Sequence, residues 1–159
     1  MSIPSRLSNY LARRGASYEV QAHDPSRTSA ETARTAQVLP HQLAKSVILG
    51  DDDGCVMAVV PADRMVRIGQ LASLLGRHEL HLADEEQIAE LFDGCERGAV
   101  PPVGMAWGIE TIVDDELENI DVVYLEAGDH EHLLRLDHAQ FHALMAGVRH
   151  ERIARKPVH

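Results

Sequence analysis

AKSVILGDDDGCVMAVVP, residues 44–61, holds two apolar runs separated by one acidic turn. Residues 44–50 and 55–61 are rich in Val, Ile, Leu and Met, and each is of strand length. The intervening DDDG, residues 51–54, ends in Asp-Gly, which suits a tight turn between antiparallel strands. A hairpin here argues for a single α+β domain with a mixed, largely antiparallel central sheet or barrel flanked by helices, not for a doubly wound one. In an extended chain Ala44, Ser46 and Ile48 share one face, and Lys45, Val47 and Leu49 the other. Both faces are apolar, which implies cover on both sides of the sheet. Lys45 is the exception. Lysine is seldom buried without a partner. At a strand entrance it either snorkels to water or points into a cleft to hold an anion or a polarised oxygen.

Around the hairpin, helix and strand signals alternate irregularly. Ile3, Leu7, Tyr10 and Leu11 mark one face of a helix over 3–14, and Gly15 stops it. SYEVQAH (17–23) reads as a short strand. TSAE (28–31) is a capping box, with Thr28 as N-cap and Glu31 at N3, opening a helix to about Gln37. RIGQLASLLG (67–76) is an amphipathic helix and HELHLA (78–83) a strand. DEEQIAELF (84–92) is a helix with acids in its first turn, as the helix dipole favours. A Gly/Pro-rich loop follows at 93–104, then strands IETIVD (109–114), DVVYLEAG (121–128) and HLLRLD (132–137). DHAQFHALMAG (137–147) is a helix capped by Asp137, and the charged RHERIARKPVH (149–159) is expected to fray or to begin a linker.

A chain of 159 residues suits one domain. With 45 % apolar and 4 % aromatic residues, its core rests on Leu, Val, Ile and Ala. No apolar run approaches the roughly 20 residues of a membrane span, and the N-terminus has no apolar stretch of the kind a signal peptide carries. Cys55 and Cys95 form no CxxC pattern. These features lead to the expectation of a reduced, cytoplasmic protein. The net charge of −10 is uneven: +3 over residues 1–50, −12 over 51–120 and −1 over 121–159. A general nucleic-acid binder carries a basic footprint, which this chain lacks as a whole. A local patch remains open, from Arg13, Arg14, Arg27, Arg34 and Lys45 or from the tail.

No GxSxG, HExxH, Walker or GxGxxG signature is present. Three constellations carry potential chemistry. GAVPPVG (98–104) is a loop in which glycine permits close approach and proline imposes stiffness, so that backbone N–H groups could face a developing oxyanion. The alternative is a plain connector. GDHEHLLRLDHAQFH (128–142) is rich in histidine, but its spacing matches no zinc pattern, and the expectation is no metal. The acidic DDDG and DDELEN (114–119) are expected to be solvated turns.

The order of these pieces resembles the YbaK/prolyl-tRNA-synthetase-associated domain family, over about residues 5–147. The matching stretches are His23 with TSAETA (28–33), Lys45 entering a strand, VVPADRMV, LASLLG, GAVPPVG, IVDDEL and YLEAG. The family's GxxxP motif matches Gly98 to Pro102, and its functional lysine matches Lys45. The resemblance implies an editing domain over 1–148 with a tail at 149–159. It implies an aminoacyl-tRNA deacylase, without metal or cofactor, acting on a small mischarged amino acid. Lys45 and Gly98 would be catalytic. Thr28, Ser29, Ser46, Pro102, Gly128, Asp129 and His130 would bind substrate. The partner would be the acceptor end of aminoacyl-tRNA, with no DNA and no membrane, and the protein a monomer or weak dimer. Ala, Ser, Cys and Thr all remain open as the edited amino acid. The rival reading is a catalytically inactive module that senses tRNA ends or an amino-acid-like ligand, and a histidine-based metal hydrolase is a third.

Overall fold

In the computed structural model, which describes residues 3–157, the chain runs through α1 (Ser5–Arg13), β1 (Glu19–Ala22), α2 (Ser29–Thr35), β2 (Leu43–Asp51), β3 (Gly54–Pro61), β4 (Met65–Val66) and α3 (Ile68–Leu75). It continues through β5 (His81–Leu82), α4 (Glu85–Leu91), β6 (Glu110–Asp114), β7 (Val122–Glu126), β8 (His132–Asp137), α5 (His138–Leu144), β9 (Arg149–Glu151) and β10 (Ala154–Arg155). The helices start where local chemistry places them. Thr28 Oγ1 accepts the Glu31 N–H at 3.1 Å, Asp84 caps α4 and Asp137 caps α5. Gly76 ends α3 with φ +67°, a left-handed conformation that glycine adopts freely.

The hairpin forms in full. β2 and β3 pair antiparallel from Ala44 opposite Pro61 to Asp51 opposite Gly54. The main sheet has the order β1-β8-β7-β2-β3-β6-β9, with β5 also on β2. It is mixed: β2–β7, β3–β6 and β6–β9 are parallel, and its other pairs antiparallel. Both faces are covered. Ala44, Ile48, Met57 and Val59 pack into one core with α1 and α5, while Leu49, Val56, Ala58 and Val60 pack with Leu71 of α3 into another. No helix among the described residues is long and apolar enough to cross a membrane.

Several expectations change. The segment after residue 148 does not fray over 149–155. β9 extends the sheet beside β6, and β10 pairs with β4. Ile153 is fully buried, and Asp114 Oδ1 accepts the N–H groups of Ile153 and Ala154, both at 2.8 Å. Val158 and His159, at the end of the expected tail, lie outside the described residues, as do Met1 and Ser2. The acidic stretches are not wholly solvated either. Asp51 pairs with Arg77 at 2.9 Å, and Asp114 is 1 % exposed. Glu118 takes up much of the histidine-rich end: His142 Nδ1 lies 2.9 Å from its carboxylate, and His138 Nε2 2.6 Å from its carbonyl. Among the described residues, no group of three or more His, Cys, Asp or Glu is placed to hold a metal ion.

Candidate active site

The sheet opens in its middle. Parallel pairing of β2 with β7 ends at Ala44 and Leu125, and antiparallel pairing with β5 begins only at Leu49. Between them Lys45, Ser46 and Val47 have no strand partner on that edge among the described residues. The Gly98 loop spans the opening. Ser46 Oγ donates to the Val100 carbonyl at 2.9 Å, which ties the loop to β2. At its other end Glu96 N–H donates to the Gly128 carbonyl at 2.8 Å, and His130 Nε2 donates to the Arg97 carbonyl. A cavity of about 150 Å³ lies beside the loop, lined by Ser46, Ile48, Glu85, Ile88, Gly98 and Val100.

Gly98 is required by its backbone. Its φ is +79°, and a Cβ there would sit 3.1 Å from the Arg27 carbonyl and 3.4 Å from the His130 ring. The Ala99 N–H is used by Glu96, whereas the N–H groups of Gly98 and Val100 have no hydrogen-bond partner among the described residues. Two free N–H groups on a stiff loop are what an oxyanion site needs.

Lys45 leaves β2 on the face opposite Ser46 and is half-buried. Burial lowers its pKa, and the Asp63 carboxylate opposes that shift. Its ammonium is partly stripped of solvent and gains from any anion brought to it.

The remaining expected residues divide between the opening and its frame. Ser46 and His130 flank the Gly98 loop. Thr28 spends its hydroxyl on the helix cap, and Ser29 begins α2. Asp129 is 4 % exposed and accepts from the Glu131 and His132 N–H groups and from His132 Nδ1. Burial raises its pKa, but these bonds outweigh it and hold the carboxyl below its ordinary value. Gly128 faces Pro4, whose Cδ would meet an added Cβ at 2.8 Å, and Pro102 is buried in the loop base. Thr28, Gly128 and Asp129 thus use their polar or compact character to shape the frame.

One residue escaped the sequence reading. Glu126, the last residue of β7, is 4 % exposed, and its Oε2 has no hydrogen-bond partner. It stands where the β2–β7 ladder ends, near the buried Ser26–Thr32 hydroxyl pair, which are 2.6 Å apart. A glutamate between Leu125 and Ala127 in an apolar strand was the available signal. Burial pushes its carboxyl up to about 7, against the Thr32 hydrogen bond and His130. Below the ordinary value of 4.5 the group is neutral in both states and costs nothing. As pH rises the unfolded chain sheds this proton first. Above the folded value the native state carries a buried charge, at a cost on the order of 3 kcal/mol. Glu126→Gln is therefore expected to raise Tm by roughly 5–10 °C near pH 8 and to have little effect near pH 4.5. Thermal unfolding across that range checks it, and an equal shift at both ends would contradict the assignment.

This geometry can be compared with known proteins. The family model for the aminoacyl-tRNA editing domain matches residues 23–144, which include the Lys45 strand, the Gly98 loop and the His130 turn. The proline–tRNA ligase of Lactobacillus helveticus is 28 % identical over 102 residues, covering 64 % of this chain and 18 % of the ligase. That of Thermosipho africanus is 37 % identical over 78 residues, covering 49 % and 14 %. The chain thus spans less than a fifth of these curated relatives. A crystal structure described as a candidate trans-editing enzyme for prolyl tRNA synthetase superposes with a TM-score of 0.80 at 25 % identity, over 97 % of this chain and 96 % of that one. The opened sheet, the glycine loop across it and the extent of the family match lead to one conclusion: the chain belongs to the aminoacyl-tRNA editing domain family.

Proposed function

We propose that this editing domain hydrolyses the ester between a small mischarged amino acid and the 3′-terminal ribose of a tRNA, with Lys45 and the Gly98 loop as its working parts. The observation that carries this is the opening in the sheet at Lys45–Val47, bridged by a loop with two free N–H groups. An aminoacyl ester is already activated, so placing it and stabilising the oxyanion can supply the catalysis without a nucleophilic triad. The Gly98 and Val100 N–H groups would take the oxyanion. The half-desolvated Lys45 ammonium would hold the ester carbonyl, the ribose or an adjacent phosphate as a compact charge. The 150 Å³ cavity beside Ser46 suits a short side chain. Its walls exclude larger ones by contact and admit smaller ones.

The test is a panel of tRNAs carrying Ala, Ser, Cys or Thr on proline and other acceptors, incubated with the purified protein. Loss of one or more esters, with that of the cognate prolyl ester spared, is the expected result and names the substrate. A protein that binds tRNA but releases none of the four would be the non-catalytic sensing module instead.

A further inference from the structure

The acidic protein carries a strongly basic hollow away from the Gly98 loop. A cavity of about 390 Å³ is lined by Arg64, Arg67, Arg152, Arg155 and Lys156, against the two carboxylates Asp114 and Glu116. The five cations outnumber these carboxylates, so the lining is net positive. Asp114 is occupied by three backbone N–H groups, and Glu116 pairs with Arg64 at 3.1 Å. Arg67, Arg152, Arg155 and Lys156 form no ion pair among the described residues. Their placement is built rather than incidental. The β4–β10 pair brings the C-terminal cations to the start of α3, and Arg67 Nε bonds the Ala154 carbonyl at 3.2 Å. The hollow lies toward the Lys45 end of β2, where Ala44 pairs with Pro61 of β3, three residues before Arg64. Arg64 in its wall pairs with Asp63 at 3.0 Å, and Asp63 is the carboxylate whose charge acts on Lys45.

We propose that this hollow is the surface on which tRNA acceptor-stem phosphates lie, while the 3′ end reaches Lys45 across Asp63 and Arg64. Five cationic side chains set against two carboxylates leave a net positive lining that favours a polyanion. On a chain of net charge −10 a local basic surface also sets the orientation of a bound RNA. Arginine dominates the set, and its planar fork matches phosphate oxygens. This surface deepens the tRNA-ester reading and rests on it.

The test uses the whole chain and the double variant Arg152→Gln/Lys156→Gln, whose altered side chains make no hydrogen bond among the described residues. Binding of uncharged tRNA is measured by fluorescence anisotropy across a salt series. The slope of log K against log salt is expected to flatten by about 1.5–2, near one phosphate contact per lost charge. The wild type's preference for a full aminoacyl-tRNA over an aminoacyl ester of adenosine alone should fall about tenfold in kcat/KM. An unaltered slope, or an equal loss on both esters, would overturn the proposal. A flattened slope in a protein that cleaves no ester supports this surface while removing the deacylase reading.

Discussion

Lys45→Ala is expected to lower the rate of ester hydrolysis by about 10²–10³-fold while leaving Tm within a few degrees of wild type. The magnitude is that of removing one preorganised electrostatic contact from an acyl-transfer site. The small effect on stability follows from its environment. Lys45 is half-buried, burial disfavours its charge, and the Asp63 carboxylate only partly offsets this. Removing an ammonium that folding has partly desolvated costs the native state little. Lys45→Arg should not restore the rate, because the longer, planar guanidinium cannot occupy the position of a compact ammonium at the sheet opening. A snorkelling lysine would give the opposite result: near-normal turnover in both variants. Single-turnover deacylation combined with thermal unfolding separates the two cases.

The second large effect lies in stability. Asp114→Ala is expected to destabilise the fold by about 4 kcal/mol and to lower Tm by roughly 10–15 °C. Asp114 is 1 % exposed, and its two oxygens accept from Ile153, Ala154 and Glu116 N–H at 2.8, 2.8 and 3.0 Å. Alanine removes the acceptor of three N–H groups, that of Ile153 in a buried place, and each lost bond costs about 1–3 kcal/mol. The damage should be local in sequence as well as large. Limited proteolysis ought to cut within 149–157 well before the rest of the chain. Asp114→Asn, which keeps one acceptor oxygen for Ile153 and Ala154, should lose less. A segment after residue 148 that hung free would leave both variants at the wild-type Tm.

These two residues show where the sequence was informative. The hairpin, the caps at Thr28 and Asp137, and the stiff Gly98 loop were all legible, because each depends on residues within a few positions of one another. Lys45 stood out because a strand entrance is a poor place for an unpaired charge. What could not be read was pairing at a distance. The mixed order of the sheet, with β7 parallel to β2, is set by which faces meet, and that alone creates the opening. The end of the chain looked like a solvated tail because its single apolar anchor, Ile153, lies among charges, and its backbone partner Asp114 is 39 positions away. DDELEN looked like a surface turn for the same reason: nothing local says that Asp114 is buried or that Glu118 receives histidines from α5. Thr28 and Asp129 carried plausible substrate-binding chemistry, but their oxygens are used by neighbouring N–H groups. Glu126 shows the reverse. Its buried, unpartnered oxygen becomes notable only once the end of the β2–β7 ladder is seen.

The cationic hollow also reframes the charge of the chain. A net −10 speaks against nucleic acid only if charge is averaged over the surface. The fold brings Arg64 and Arg67 together with Arg152, Arg155 and Lys156, which are about ninety positions apart in sequence. A protein that grips only the end of an RNA needs no more basic surface than that.

The most direct measurement is a crystal structure of the protein with a 3′-aminoacylamino adenosine, in which a stable amide replaces the ester. The predicted result has the amide carbonyl within hydrogen-bond distance of the Gly98 or Val100 N–H, the amino-acid side chain in the cavity beside Ser46, and the Lys45 ammonium against the carbonyl, ribose or phosphate position. An analogue seated elsewhere, with the Gly98 loop and Lys45 both untouched, would contradict the account.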